Sequence, residues 1–303
     1  MMKYIFFALA ACTLAACGGG GAKTVGTPDF VTPEVPGILV EPVERANFLV
    51  AHYWDRYNFA DASVMRSEKF ERDIFPSYLY FLGIAQPDKS RASLTALLNR
   101  IEADTATYHF FTSLFEHYFY DPNSPMRNEE LYIPVLQHQS ASLAMDETER
   151  FRLADRLRLV LKNRPGERAA DFVYTLASGR QGRMYDLHYR WTILFFNNPG
   201  CHACRDFMDE MTSSGLIREL LENRSLVILG LYPDEDMTAW HDYAATFPKE
   251  WIYSYDKRQA IRDGELYDLK AIPSIYLLDK DKRVVIKDAI NVQMVVDALG
   301  ASL

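Results

Sequence analysis

The feature that most constrains this chain is a pair of cysteines between a hydrophobic run and a helical pattern. The segment FFNNPGCHACRDF covers residues 195–207 and contains Cys201 and Cys204. The run WTILFF at residues 191–196 is typical of a strand in the middle of a sheet. The pair has four interpretations: a metal clamp, a structural staple, a haem anchor or a redox pair.

The other cysteines and the histidines narrow these interpretations. The chain has four cysteines, of which the remaining two are Cys12 and Cys17. A structural zinc site usually needs four nitrogen or sulfur ligands, and neither a second CxxC nor a close His pair is present, so we predict no metal and no other cofactor. Covalent haem attachment needs His directly after the second Cys, where this chain has Arg205. A staple that closes a two-residue loop would constrain little of the unfolded chain. Dithiol redox chemistry is the interpretation that remains.

The N-terminus predicts export and lipid anchoring. The leader MMKYIFFALAACTLAAC has one Lys, an apolar stretch and then small residues, which is typical of a secretory signal. Its end, Leu14-Ala15-Ala16-Cys17, resembles the lipobox of bacterial lipoproteins, which implies cleavage before Cys17 and lipidation of that residue. We therefore expect a membrane-anchored protein in the cell envelope, facing the periplasm of a Gram-negative bacterium. A plain secretory signal cut elsewhere is the alternative.

Length, charge and hydrophobic pattern predict the organisation of the chain. Its 303 residues allow about two domains. The net charge is -8, and no Lys/Arg cluster is dense enough for a phosphate-binding groove, which argues against nucleic acid. The hydrophobic period changes from helical to alternating strand and helix near Pro165. The predicted parts are a signal peptide (1–17), a flexible tether (18–44), a helical domain (45–163) and an α/β domain (164–303).

Two segments show how the helical domain is predicted. In PDKSRASLTALLNRIEAD, apolar residues recur at the spacing of one helix face, with Asp88 or Ser90 as the candidate N-cap. In MDETERFRLADRLRLVLKNRPG, Asp146 and Glu149 have the spacing of a capping box. We expect the abundant aromatic side chains of this domain to form its core.

The order of elements after residue 164 resembles the thioredoxin fold, specifically the TlpA-type thiol-disulfide oxidoreductases of bacterial envelopes. Three features carry this resemblance: the leading segment RPGERAADFVYTLASGRQGRMYDL, the strand–CxxC–helix unit, and YDLKAIPSIYLLDKDKRVV with its Ile-Pro-Ser. The resemblance implies an α/β thioredoxin-like domain with a central mixed sheet and flanking helices. In the helical half, YDPNSPMRNEELYIPVL is similar to a domain of unknown function that precedes thioredoxin-like domains in some Gram-negative lipoproteins.

The resemblance also implies roles for individual residues. Cys201 would lie at a helix N-terminus, where backbone N–H groups stabilise its thiolate for attack on a disulfide, and Cys204 would resolve the mixed disulfide. Pro273 is equivalent to the family's cis-proline, and the backbone of Ile272 would pair with an extended substrate segment. His202 is a further candidate for substrate binding, with a merely solvated side chain as its alternative. A trans Pro273 and an inert dithiol are the corresponding alternatives for the other residues.

Some positions depart from the related families. The buried Asp expected six residues before the first Cys is Phe195, and the Glu expected three residues after the second Cys is Phe207. The base for the resolving cysteine is therefore unidentified, because Asp206 and Asp209 are expected to face solvent. Gly200 replaces the usual aromatic residue before the first Cys, which predicts a more open rim.

These features predict an enzyme, a thiol-disulfide oxidoreductase that acts as a reductase or isomerase rather than an oxidase. Its expected partners are protein thiols and disulfides of the cell envelope and a redox partner that recycles it. A non-catalytic interaction lipoprotein, with the thioredoxin fold as scaffold, is the main alternative. A peroxide-reducing enzyme of the peroxiredoxin group is disfavoured, because Asn198 stands where its Thr-x-x-Cys pattern needs Thr.

Overall fold

The computed structural model describes residues 30–60 and 67–301. The signal peptide, the lipobox with Cys17 and the first part of the tether lie outside the described residues. In the part that is described, no helix has both the length and the apolar character needed to cross a bilayer.

The described chain up to residue 163 is helical, as the sequence predicts. Helix α1 begins at Pro42, slightly before the predicted start at residue 45, and a short π-helical segment, Phe70–Ile74, leads into helix α2. The helices are α1 (Pro42–His52), α2 (Phe75–Ile84), α3 (Pro87–Ile101), α4 (Thr105–Phe119), α5 (Glu129–Ala141) and α6 (Glu147–Val160).

Local capping explains where two of these helices begin. The predicted capping box of α6 is confirmed: the Asp146 carboxylate accepts from the Glu149 N–H, and the Glu149 carboxylate accepts from the Asp146 N–H. The predicted N-cap of α3 is wrong, because the helix begins at Pro87, whose fixed φ suits the first helical position. Asp88 therefore lies in the first turn, and the buried Ser90 hydroxyl donates to the Leu82 carbonyl.

Aromatic rings form much of the core between these helices, as expected from the composition. Several are fully buried, among them Phe70, Phe75, Tyr78, Tyr108, Phe111 and Phe115. Phe30, within the segment predicted as tether, packs its ring against Tyr53 with the ring centroids 5.0 Å apart. That segment is therefore attached to the helical core at Phe30.

The second half of the chain forms one mixed, seven-stranded sheet. Its strands are β1 (Val173–Leu176), β2 (Gln181–Arg183), β3 (Trp191–Phe196), β4 (Leu226–Tyr232), β5 (Ile252–Tyr255), β6 (Ser274–Leu278) and β7 (Val284–Ile286). They are ordered β2-β1-β5-β4-β3-β6-β7. Strand β3 lies inside the sheet, parallel to β4 and antiparallel to β6, so the interpretation of WTILFF as a central strand is confirmed.

Helices cover this sheet, and its two faces bury separate hydrophobic clusters. The helices are α7 (His202–Ser213), α8 (Gly215–Glu222), α9 (Met237–Ala244) and α10 (Val292–Gly300). Alternate residues of β3 enter the two clusters, with Ile193 and Phe195 in one and Leu194 and Phe196 in the other. The predicted fold class, a mainly helical region followed by an α/β thioredoxin-like domain, is confirmed.

Candidate active site

Cys201 and Cys204 lie where strand β3 passes into helix α7. Cys201 is the N-cap of α7, and its Sγ accepts a hydrogen bond from the backbone N–H of Cys204 at 3.1 Å. The two residues form a disulfide, with their Cα atoms 5.2 Å apart. A sulfur at this position faces the unpaired N–H groups and the positive dipole end of the helix, which favour an anion. In the reduced protein these groups would stabilise a thiolate on Cys201.

The two cysteines differ in exposure. Cys201 is partly exposed, whereas Cys204 is 0% exposed within the cluster that contains Phe195 and Met208. His202, between them, is exposed on the first turn of α7. A disulfide of another molecule can therefore reach Cys201 before Cys204.

The proline singled out in the sequence lies beside this pair. The Ile272–Pro273 peptide bond is cis, and the carbonyl oxygen of Ile272 is 3.8 Å from Cys201 Sγ. Strand β6 starts directly after this proline and pairs antiparallel with β3, with Ser274 opposite Phe196. Cys201 and Ile272, which are 71 residues apart in the chain, are thereby brought together. We call residues 270–274 the proline loop.

The surroundings of Cys204 are apolar at the two positions where related families carry an acid. Phe195 is fully buried, with its ring centroid 6.2 Å from that of Trp251, and Phe207 is partly buried. Asp206 and Asp209 are exposed, as expected. An apolar environment disfavours a thiolate, so in the reduced protein these surroundings would favour the negative charge on Cys201 rather than on Cys204.

A polar cleft of about 430 Å³ adjoins the proline loop. Its walls include Asn198 and Ile272 near the cysteines and Leu159 of helix α6. The Asn198 amide donates to the Asp234 carboxylate at 2.8 Å, and Asp234 also pairs with Arg262. The sequence contained no periodic signal for Asp234 or Arg262, because both follow strand ends in irregular segments.

A cluster of buried charges includes Lys270, the first residue of the proline loop, and side chains packed against it. Sequence reasoning missed this cluster. Glu129, Asp268, Lys270 and Lys287 have side chains that are at most 10% exposed. Burial raises the pKa of Asp268 to about 6 and lowers the pKa of Lys270 and of Lys287 to about 8. Within residues 30–60 and 67–301, no three His, Cys, Asp or Glu side chains are grouped so as to hold a metal ion.

A central mixed sheet, a CxxC at a helix N-terminus and a proline loop beside it define a thioredoxin-like protein. The helical half matches the model of a domain of unknown function, DUF5106, over residues 16–163. The crystal structure of a thioredoxin-like protein from Bacteroides caccae is 42% identical, with a TM-score of 0.86 over 90% of this chain and 99% of that chain. The chain belongs to this family of thioredoxin-like proteins with an N-terminal DUF5106 domain.

Other solved structures match a smaller share of the chain. The C-terminal domain of an uncharacterized Bacteroides fragilis protein is 43% identical over 46% of this chain and 98% of that chain, with a TM-score of 0.44. The thioredoxin domain of a thiol-disulfide oxidoreductase from Bacteroides vulgatus is 18% identical over 46% of this chain and 94% of that chain, with a TM-score of 0.39. The curated proteins contain no match to this chain.

Proposed function

We propose that this protein is an envelope thiol-disulfide oxidoreductase that reduces or isomerises disulfides of exported proteins through Cys201 and Cys204. The observation that carries the proposal is the asymmetry of the pair. The sulfur of Cys201 caps helix α7 and is partly exposed, whereas Cys204 is buried one turn along. This arrangement separates a stabilised, accessible nucleophile from a shielded resolving thiol.

The reaction follows from these positions. The thiolate of Cys201 attacks one sulfur of a substrate disulfide, the substrate S–S bond breaks, and a mixed disulfide forms. The first substrate sulfur departs as a thiolate and takes up the proton that Cys204 then loses. Cys204, now a thiolate, attacks Cys201 Sγ, which releases the second substrate thiol and forms the Cys201–Cys204 disulfide. Two electrons pass to the substrate, and a dithiol reductant of the envelope must return them.

The described surroundings of Cys204 predict which step is slow. Neither Phe195 nor Phe207 can accept its proton, and its apolar cluster disfavours the thiolate. The substrate thiolate released in the first step is a basic group close to the site and can accept that proton. We expect resolution of the mixed disulfide to limit turnover.

The proline loop supplies the proposed contact for a protein substrate. The Ile272 backbone adjoins Cys201 Sγ, so an extended segment that pairs with Ile272 would bring its disulfide to the nucleophile. Pro273 shapes this groove, and the exposed His202 directly follows Cys201 in the chain. Such pairing depends on backbone atoms, which suits an enzyme that acts on several proteins.

Reduction of insulin by catalytic amounts of protein, with a dithiol as reductant, tests the proposed activity. We expect turnover by the wild type and none by Cys201→Ser. The alternative, an interaction lipoprotein with an inert dithiol, is favoured by the missing acid near Cys204 and by the large helical half. A wild type that binds envelope proteins but reduces no disulfide would establish that alternative.

The proposed location is the periplasmic surface of a membrane, through lipid on Cys17. Its support is the sequence Leu14-Ala15-Ala16-Cys17 and the Gly-rich stretch that follows. Cys17→Ser should release the protein from the membrane fraction or leave it unprocessed. Incorporation of a labelled fatty acid into the wild type but not the variant is the direct measurement, and equal fractionation without label would contradict the proposal.

A further inference from the structure

A short segment of the helical domain, residues 120–130, contacts the proline loop; it lies within the stretch YDPNSPMRNEELYIPVL. On the N-terminal side of Pro273, the Lys270 ammonium forms an ion pair with Glu129, in the first turn of helix α5. The same ammonium lies 4.5 Å from the centroid of the Tyr120 ring, a cation–π contact. Two groups of the helical domain therefore hold the side chain of Lys270, which lies three residues before the cis-proline.

The same segment also holds the C-terminal side of the loop, through Asp288. The Ser274 hydroxyl, directly after Pro273, donates to the Asp288 carboxylate at 2.8 Å. Arg127 Nη2 donates to the backbone carbonyl of Asp288 at 2.7 Å and lies 3.4 Å from its carboxylate. Arg127 is in turn anchored within its own segment, because its Nη1 donates to the Pro122 carbonyl at 2.8 Å.

Glu129 joins the proline loop to the residue that follows strand β7. Its second carboxylate oxygen pairs with Lys287 at 2.7 Å, and Lys287 also donates to the carbonyls of Val160 and Lys162 at the end of helix α6. The side chains of Glu129, Lys270 and Lys287 are at most 10% exposed. Charges at this depth keep a fixed geometry, since each loses its hydration and depends on its partner.

We propose that Glu129 and Arg127 of the helical domain are positioning residues for the proline loop, and that they set the backbone of Ile272 for substrate pairing. This proposal rests on the proposed function, because it concerns the groove beside Cys201. The helical domain then contributes to recognition of protein disulfides without contacting the reacting sulfurs. A small shift of a positioned group is enough to reduce a rate strongly.

The test compares a protein disulfide with a small one. Reduced, full-length protein reacts with insulin or with 5,5′-dithiobis(2-nitrobenzoate), a small disulfide that does not need strand pairing. In Glu129→Gln we expect the rate constant for insulin to fall about 10-fold or more, a size typical of misplaced groups, while the rate constant for the small disulfide stays within about 2-fold. Glu130→Gln is the matched control, because Glu130 is adjacent and pairs with Arg164 rather than with the loop.

A second variant keeps the proposal testable if Glu129→Gln does not fold. Ser274→Ala removes only the hydrogen bond from Ser274 to Asp288, and we expect a smaller drop in the ratio of the insulin rate to the small-disulfide rate. The proposal would be overturned if the ratio of the insulin rate to the small-disulfide rate were unchanged in both variants. If Glu129→Gln is unfolded, an unchanged ratio in Ser274→Ala alone would overturn it. An equal fall for both disulfides in Glu129→Gln would also overturn it, because a structural defect would affect them alike.

Hydrogen exchange separates failure of this proposal from failure of the proposed function. Peptides covering residues 268–276 should exchange faster in Glu129→Gln than in the wild type or in Glu130→Gln. If the wild type reduces neither disulfide but this exchange difference is present, the proposed function fails and the positioning of the loop stands. If exchange of these peptides is the same in all three proteins, the positioning proposal fails whatever the activity.

Discussion

The two sides of the dithiol are built in opposite ways. Behind Cys204 the protein is apolar, with Phe195, Met208 and Ile275 in one buried cluster. Behind the proline loop it is charged, with Glu129 and Lys270 paired out of contact with most solvent. The two sides have separate tasks. On the side of the cysteines, the N-terminus of helix α7 sets the chemistry of the thiol. On the charged side, contacts with the helical domain set the position of the substrate groove.

The largest effect should come from the reacting sulfur itself. Cys201→Ser removes the nucleophile, so reduction of insulin should fall to the uncatalysed rate. A Ser hydroxyl at the same N-cap keeps the helix intact, and the thermal unfolding midpoint, compared with that of the oxidised wild type, reports the loss of the disulfide alone. Activity that survives in this variant would mean that Cys201 is not the attacking thiol.

The charged side should respond in stability. Glu129→Gln leaves Lys270 and Lys287 buried beside a neutral group, and breaking a buried pair costs about 3–5 kcal/mol. Glu130→Gln should cost less than about 1 kcal/mol, because its pair with Arg164 is partly exposed. Urea unfolding of both variants measures the difference. Equal free energies of unfolding would show that the charged contact is not a coupled, buried cluster.

The buried carboxyl group of Asp268 predicts a pH dependence of stability. Burial raises its pKa from 3.8 to about 6, so the folded state holds a proton that the unfolded state has lost in this window. Stability should therefore fall as the pH rises from about 4 to 6, by about 3 kcal/mol at about 1.4 kcal/mol per pKa unit. Asp268→Asn should remove this contribution. Parallel pH profiles of the free energy of unfolding for wild type and variant would contradict the raised pKa of Asp268.

The smallest effect concerns a helix end far from both sides of the site. Asp146→Ala removes the cap of helix α6 and should cost about 1 kcal/mol of stability. Glu147→Ala, one residue into the same helix, is the control, and a loss of a few tenths of a kcal/mol is expected from the helix dipole alone. Insulin reduction should not change in either variant. A loss of activity in Asp146→Ala would extend the coupling between the domains beyond the segment at residues 120–130.

The apolar side of the site could be predicted from sequence, and the charged side could not. A continuous run such as WTILFF and a CxxC between such a run and a helical pattern are local patterns, which can be recognised without knowing how the chain packs. The pairing of Glu129 with Lys270 joins residues 141 positions apart. Charged side chains are usually solvated, so nothing in the local sequence marks these two as buried partners.

The error at helix α3 has a different, local origin. Asp88 and Ser90 are good capping residues, but Pro87 just before them is favoured inside the first turn, which moves the start of the helix to Pro87.

The stretch YDPNSPMRNEELYIPVL stands out in the sequence only for its resemblance to a domain of unknown function. Its contacts with the proline loop depend on how the two halves pack, and neither half encodes that packing alone.

The central claim is that Cys201 attacks and Cys204 resolves, and trapping of mixed disulfides tests it most directly. Full-length Cys204→Ser, expressed in its native envelope, should accumulate covalent complexes with exported proteins, because Cys201 can attack their disulfides but no second thiol can resolve the mixed disulfide. A reductant should cleave these complexes. The Cys201→Ser and double variants should accumulate none. Complexes formed by Cys201→Ser instead would reverse the roles of the cysteines, and the absence of complexes in every variant, with no insulin reduction by the wild type, would contradict the account.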